Sequence, residues 1–178
     1  MKSEDDEFAR FFDEFYPSLC RFLECLLGGG RASAEDVAQE SFMRLYHKGL
    51  GSLPAGEARF WLFRVARNLA LNELGRGQTR RRLFERVAAA FGAHAASPER
   101  EYEAAERRGM ILEMLKLLPE QQRASLLLRE QEEMSYREIA DVLGVSEAKV
   151  KVDIFRARGA LRDRWGKAQK AAAGIAGK

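Results

Sequence analysis

Trp61, Arg64, Arg67 and Asn68 lie at i, i+3, i+6 and i+7 within the stretch WLFRVARN, so they share one side of a helix. These side chains suit a single-stranded polyanion. An indole face stacks on an unpaired base, guanidinium groups neutralise phosphates, and an asparagine amide can both donate to and accept from one extruded base. A tryptophan at helical spacing serves a core equally well, and Phe60, Leu62, Val65 and Leu69 are assigned to packing. A second basic cluster stands in SEAKVKVDIFRAR. There Val150, Ile154, Ala157 and Leu161 form an inward stripe, which leaves Ser146 at the helix start and Lys149, Lys151, Asp153, Phe155, Arg156 and Arg158 on the outside.

The elements that must carry these groups are legible from periodicity and caps. Phe8, Phe11, Phe12, Phe15, Leu19, Phe22, Leu23 and Leu26 step by three and four, giving a first helix that ends at Gly28-Gly29-Gly30. A second helix is expected to open at Ser33, with Asp36 at the capping-box position, and to run to Gly49 with Val37, Phe42, Leu45 and Tyr46 inward. The segment GLGSLPAGEAR reads as a loop, and a third helix runs from near Glu57 to about Gly75. The looser stretch after it, with GQTRRR at its start and HAASPER at its end, reads as a linker whose first part can be helical.

Helices then follow at about 103–118, 120–132, 135–143 and 146–165, with Pro119 at a helix start. Ser135 and Glu138 form a capping box, Gly144 makes a sharp turn, Ser146 caps the next helix, and Ala140 is small where two helices cross. Ile139, Leu143 and Val145 complete the inner face. This is a helix-turn-helix whose second helix fits a major groove. The fold class expected is all-α: two small helical domains joined by a linker, the C-terminal one containing the helix-turn-helix. The divisions are 1–76, a linker over 77–102, 103–166, and a frayed tail over 167–178.

Composition agrees with a packed helical protein: 46% of the 178 residues are hydrophobic and only four are proline. Net charge is only +3, but its distribution alternates. Residues 1–50 carry six basic and ten acidic side chains, 57–86 eight and three, 87–133 six and nine, and 134–170 nine and five. Two separated basic segments can each meet a polyanion while the acidic ones face elsewhere. No apolar run approaches a membrane span and the N-terminus MKSEDDEF is acidic, so a cytoplasmic protein without membrane insertion is expected. Cys20 and Cys25 are five residues apart in one helix and read as reduced packing thiols. An enzyme is disfavoured, since His47 and His94 are far apart, no glycine-rich phosphate loop follows a strand, and no spacing suggests a metal or cofactor.

The stretch LPEQQRASLLLREQEEMSYREIADVLGVSEAKVKVDIFRARGALRDR resembles the promoter-reading C-terminal domain of the bacterial extracytoplasmic-function sigma factors. Response-regulator output domains share the EIA-x-x-L and VK portion of that pattern. AEDVAQESFMRLYHK followed by ARFWLFRVARNLALNEL resembles the other conserved sigma domain, which those regulators lack. The resemblance implies binding to core RNA polymerase, through the clamp of the largest subunit and the flap of the second-largest, and promoter recognition with melting at the minus-ten element. It implies that Asp36, Gln39, Glu40 and Arg44 form the clamp-docking face, an acidic and amide-bearing surface suited to a basic helical partner. It places Asn68 and the loop from Leu50 to Arg59 at a pocket for a flipped minus-ten base, with Trp61, Arg64 and Arg67 beside it. Ser146, Lys149, Lys151, Phe155, Arg156 and Arg158 fall to the minus-thirty-five element.

An anti-sigma factor is the usual partner of the family, and its members are as a rule monomeric when free; no heptad seam here argues otherwise. Three departures stand out: Asn72 where the family often has Asp, Val152-Asp153 where it commonly has Ser-Arg, and Lys149 where Thr is frequent. The alternative reading is a helix-turn-helix regulator that works without polymerase.

Overall fold

Seven α-helices and one 3-10 turn make up the described residues, with no strand among them. The structure is a computed structural model that describes residues 2–88 and 99–175. The middle of the expected linker, with His94, lies outside the described residues, as do the side chains of Arg80, Arg81 and Arg82. No helix among the described residues is long and apolar enough to cross a membrane.

In the first half, α1 (Lys2–Leu27), α2 (Arg31–Lys48) and α3 (Glu57–Ala88) pack around one core. The stripe on α1 supplies Leu19, Phe22, Leu23 and Leu26, all fully buried. Phe22 meets Phe63 of α3 at 5.3 Å between ring centroids. Towards the start of α1 the ring of Phe42 is surrounded by Phe12 at 4.8 Å, Tyr16 at 5.9 Å, Phe8 at 6.2 Å and Phe11 at 6.3 Å. Such tilted and edge-on contacts add to the area that each ring removes from water. On α3 the buried positions are Leu62, Phe63, Ala66 and Ala70, whereas Phe60, Val65 and Leu69 are only half-buried.

Several local expectations need correction. The α2 helix opens at Arg31, not Ser33, because Gly30 adopts φ 94° and its carbonyl accepts from the Ala34 N–H at 3.1 Å. A glycine reaches that left-handed backbone without steric cost, so the chain turns before the serine and Ser33 falls inside the first turn. Tyr46 is 55% exposed rather than core, and its ring packs on Phe8 at 5.1 Å. One 3-10 turn, Leu50–Ser52, forms in the expected loop. The α3 helix continues past Gly75 and Gly77 to Ala88, because isolated glycines cost a helix only about 1 kcal/mol each. The last helix runs on through the alanine-rich tail to Ile175, alanine being the strongest helix former.

In the second half, α4 (Glu99–Lys116) and α5 (Glu120–Glu130) pack with α6 (Tyr136–Leu143) and α7 (Glu147–Ile175). Pro119 is the N-cap of α5. Ser135 and Glu138 cap α6 reciprocally: the Glu138 N–H donates to Ser135 Oγ at 3.2 Å, and the Ser135 N–H donates to Glu138 Oε2 at 2.6 Å. Gly144 ends α6 at φ 67°, and the N–H groups of Gly144 and Val145 both close on the Ala140 carbonyl. Ser146 Oγ then accepts the Lys149 N–H at 3.2 Å. Ile139, Ala140, Val142 and Leu143 of α6 meet Val150, Ile154 and Ala157 of α7 in a buried contact, while Val145 is half-buried. The two halves touch where α1 meets α4 and α5 and where α3 meets α6.

The capping box makes a testable stability element. The Ser135 backbone N–H, and then its side chain, hold the Glu138 carboxyl below its ordinary range. A carboxyl depressed in the fold contributes stability above its unfolded pKa of about 4.3 and loses it as pH falls through the lower folded value. Ser135→Ala is expected to lower unfolding free energy by about 1 kcal/mol at neutral pH, read by urea melts. Part of the stability lost as pH falls below about 4.3 should go with it, to roughly the extent that the carboxyl is released.

Candidate nucleic-acid interface

The outer side of α7 is defined by what its inner side buries. Val150, Asp153, Ile154 and Ala157 fall on one stripe and are all buried. Asp153 therefore does not stand among the outward cations, as its charge suggested; it is 0% exposed and bonds the Lys149 ammonium one turn earlier. A phosphate approaching α7 does not meet that carboxylate, and Lys149 stays held to the helix by it. Arg158 is likewise fixed, its Nη2 donating to Glu130 Oε1 at 2.5 Å, and this bond holds the guanidinium pKa up. Lys151 lies over the Tyr136 ring, 5.6 Å from its centroid, opposite a helper that periodicity did not suggest: Arg129, 5.4 Å from the same ring. Phe155 and Arg156 are exposed, and Ser146 is both exposed and engaged as the cap.

The four residues singled out on α3 divide between two environments. Trp61 is half-buried, with the Lys48 ammonium at the end of α2 5.8 Å from its ring centroid, and Asn68 is exposed on the same side. Arg64 and Arg67 instead reach the second half of the chain. Arg67 donates through Nε to Glu120 Oε1 at 3.0 Å and through Nη2 to Glu120 Oε2 at 2.9 Å and Gln121 Oε1 at 2.8 Å. Arg64 Nη2 donates to the Asp141 carbonyl at 2.8 Å. Arg59, at the end of the loop, donates to the Glu132 carbonyl at 2.5 Å and to its carboxylate at 3.1 Å. Trp61 is packed in part against the core while Asn68 is exposed on the same side of α3, and the arginines turn toward α5 and α6. These long-range partners carried no sequence signal, because nothing in a local pattern specifies a contact 53 or more positions away.

On α2, Asp36, Gln39, Glu40 and Arg44 are all exposed, and Arg44 Nε donates to Glu40 Oε1 at 2.8 Å. Asp36, Glu40 and Arg44 line a cleft of about 360 Å³ with Ser33 and Val37, completed from α3 by Leu69, Asn72 and Glu73. Met43, 57% exposed, sits one turn beyond Gln39 and Glu40 and gives this polar face an apolar contact point that the sequence reading omitted. Cys20 and Cys25 are free and half-buried, and burial pushes both thiols up. Among the described residues no group of three or more His, Cys, Asp or Glu could hold a metal ion.

Two family models match this chain in order: Sigma-70 region 2 over residues 11–81 and Sigma-70, region 4, over residues 108–161. RNA polymerase sigma-H factor of Pseudomonas aeruginosa is 38% identical over 137 residues, covering 72% of this chain and 70% of the relative. The ECF RNA polymerase sigma-E factor of Haemophilus influenzae is 33% identical, with 75% of each chain covered. The fold matches that of the sigma factor RpoE solved with the anti-sigma factor NepR from Bartonella quintana, at a TM-score of 0.66, 23% identity, and 88% and 95% coverage of the two chains. It also matches CnrH solved with the cytosolic domain of CnrY, at 0.64, 22% identity, and 92% and 90% coverage.

The arginine contacts between the halves generate a direct expectation. Glu120→Gln combined with Glu132→Gln weakens two charge-assisted contacts, each of a kind worth about 1.5–3 kcal/mol. Small-angle scattering should show a larger radius of gyration for the double variant than for the parent at low salt, and a smaller difference in high salt. Superimposable profiles would mean that these two carboxylates are not needed to hold the halves together.

Proposed function

The chain belongs to the extracytoplasmic-function branch of the sigma-70 family and is a promoter-directing sigma factor, and on that premise we propose how its surfaces divide the work. Asp36, Gln39, Glu40 and Arg44, with Met43 among them, dock on the clamp coiled coil of the polymerase largest subunit. The mixed carboxylate, amide and thioether surface supports this, since it offers acceptors to a basic helix around one apolar contact. The second half, residues 103–166, engages the flap of the second-largest subunit and lays α7 in the major groove of the minus-thirty-five element. Residues 1–76 hold the minus-ten element, with Asn68 reading one extruded base beside Trp61, and Arg64 and Arg67 on the strand's phosphates.

The observation that carries this assignment is the sorting of α7. Val150, Ile154, Ala157 and the carboxylate of Asp153 point inward, and Lys151, Phe155 and Arg156 point outward, with Glu147 exposed at the helix start. The arginine contacts to α5 and α6 fit a closed form of the free chain, in which Arg64 and Arg67 are occupied until core polymerase separates the halves. Such a form is a natural target for an anti-sigma factor, and RpoE, a solved relative by fold, was captured with one. A cytoplasmic location follows from the same reading.

Run-off transcription tests the division. The chain alone should bind promoter duplex weakly, and with core polymerase it should initiate at defined sites. Arg156→Ala should weaken upstream binding by about 1–3 kcal/mol while leaving the fold intact, because the residue lies off the buried stripe. Asn68→Ala should change which minus-ten base is preferred, whereas Arg64→Ala and Arg67→Ala should lower opening on all promoters alike and flatten its salt dependence. Normal transcription by the Arg156 variant from a promoter that depends on its upstream element, or unchanged base preference in the Asn68 variant, would overturn the assignment of that residue.

A further inference from the structure

The outer face of α7 carries a line of side chains that can neither donate nor accept a hydrogen bond. Ala148, Val152 and Phe155 follow at i, i+4 and i+7, all exposed, on the side of the helix opposite the buried Val150, Ile154 and Ala157. Their exposure is large: Phe155 is 76% exposed and Val152 42%. Phe22, Phe42 and Phe63, by contrast, are buried in the core. Cations flank the line on both sides. By helical angle Lys149 and Arg156 run along one edge and Lys151 and Arg158 along the other, which begins at the exposed carboxylate of Glu147, and the bonds of Lys149 to Asp153 and of Arg158 to Glu130 hold two of the four cations in place.

A helix lying in the major groove sets its edges against the phosphates of both banks and its central line against the floor. Cations at the edges suit the first. On the floor, a side chain without donors or acceptors has one favourable partner, the 5-methyl group of thymine; the other major-groove features are hydrogen-bonding atoms that an apolar side chain would only desolvate. We infer that Val152 and Phe155 are specificity-determining residues that read thymine methyl groups in the upstream promoter element, with Ala148 small enough to let the first turn of α7 seat against the bases. The two cationic edges assign the line to a polyanion rather than to a protein helix. This inference rests on the sigma-factor reading above and adds to it the chemical feature that the upstream contact recognises.

The test uses holoenzyme assembled from the full chain and core polymerase. A duplex library randomised over the upstream element and joined to a fixed downstream region is selected for binding, and each thymine of the selected sequence is then replaced singly by deoxyuridine, which removes only the methyl. At one or two positions the replacement should weaken binding about fourfold, the factor expected for withdrawing one methyl from a dry contact. Val152→Ala and Phe155→Ala should each bind the thymine duplex more weakly and abolish the difference between thymine and uracil at their own position, with circular dichroism melts unchanged. Selected sequences without thymine, deoxyuridine replacement without effect, or variants that keep the full methyl dependence would each overturn the inference. So would variants that keep their DNA binding but lose affinity for core polymerase, since the line would then be a protein contact. Failure to select any upstream sequence, with initiation intact, would instead overturn the assignment of α7 to upstream DNA, and the inference with it.

Discussion

A guanidinium ion cannot be saturated by a carboxylate and rest on a phosphate at the same time, and Arg67 is where this constraint bears on the whole molecule. Its fork spans both oxygens of Glu120 and adds the Gln121 side chain, with only 12% of the arginine side chain and 21% of the glutamate side chain exposed. A pair withdrawn from solvent to that extent is screened less than a surface pair. Arg59 adds a second contact to a carboxylate, at Glu132, and Arg64 a bond to the Asp141 carbonyl, so α3 supplies the donors and the α5–α6 region the acceptors. On the proposed assignment, folding and nucleic-acid contact therefore compete for the same cations. Arg59 and Arg67 are held between the halves, whereas Arg64, though bonded to the Asp141 carbonyl, is exposed, as is Asn68.

The second half is organised differently, and its reading surface does not depend on that separation. Devices within this half orient α7: the Ser135–Glu138 capping box, the Gly144 turn, the Ser146 cap, the buried Asp153 that anchors Lys149, and packing on α5 with the Arg158–Glu130 pair. The outer line of α7 remains exposed while α6 is packed on α3. The closed form thus withholds strand-holding arginines more completely than it withholds the upstream face, an asymmetry that follows from which helix meets which.

What the sequence revealed follows the same division between local and distant chemistry. Ser135, Glu138, Gly144 and Ser146 act on backbone groups within four residues, so capping arguments place the starts of both helices of the helix-turn-helix to within a residue, whereas the end of the second runs ten residues past its expected stop. Asp153 was misplaced because charge was allowed to outweigh angle; it sits three residues after Val150 and four before Ala157, on the buried stripe. Ser33 lost its role to Gly30, since a left-handed glycine can begin the turn earlier than a capping side chain. The partners of Arg59, Arg64 and Arg67 were invisible for a physical reason, since each contact is made by the packing of two halves and by nothing in the local chain. Met43 and Lys48 went unmarked because an exposed methionine or a terminal lysine has no pattern that separates it from ordinary surface.

The central claim is that core polymerase exchanges the contacts between the halves for its own and so frees the α3 arginines. Electron-spin distance measurement tests it most directly, with labels at His47 and Arg162, both exposed and in opposite halves, in a chain carrying Cys20→Ser and Cys25→Ser. The free chain should give one narrow distance distribution, unchanged by promoter duplex alone, and addition of core polymerase should replace it with a longer one. A distribution that stays short in the polymerase-bound chain would contradict the account.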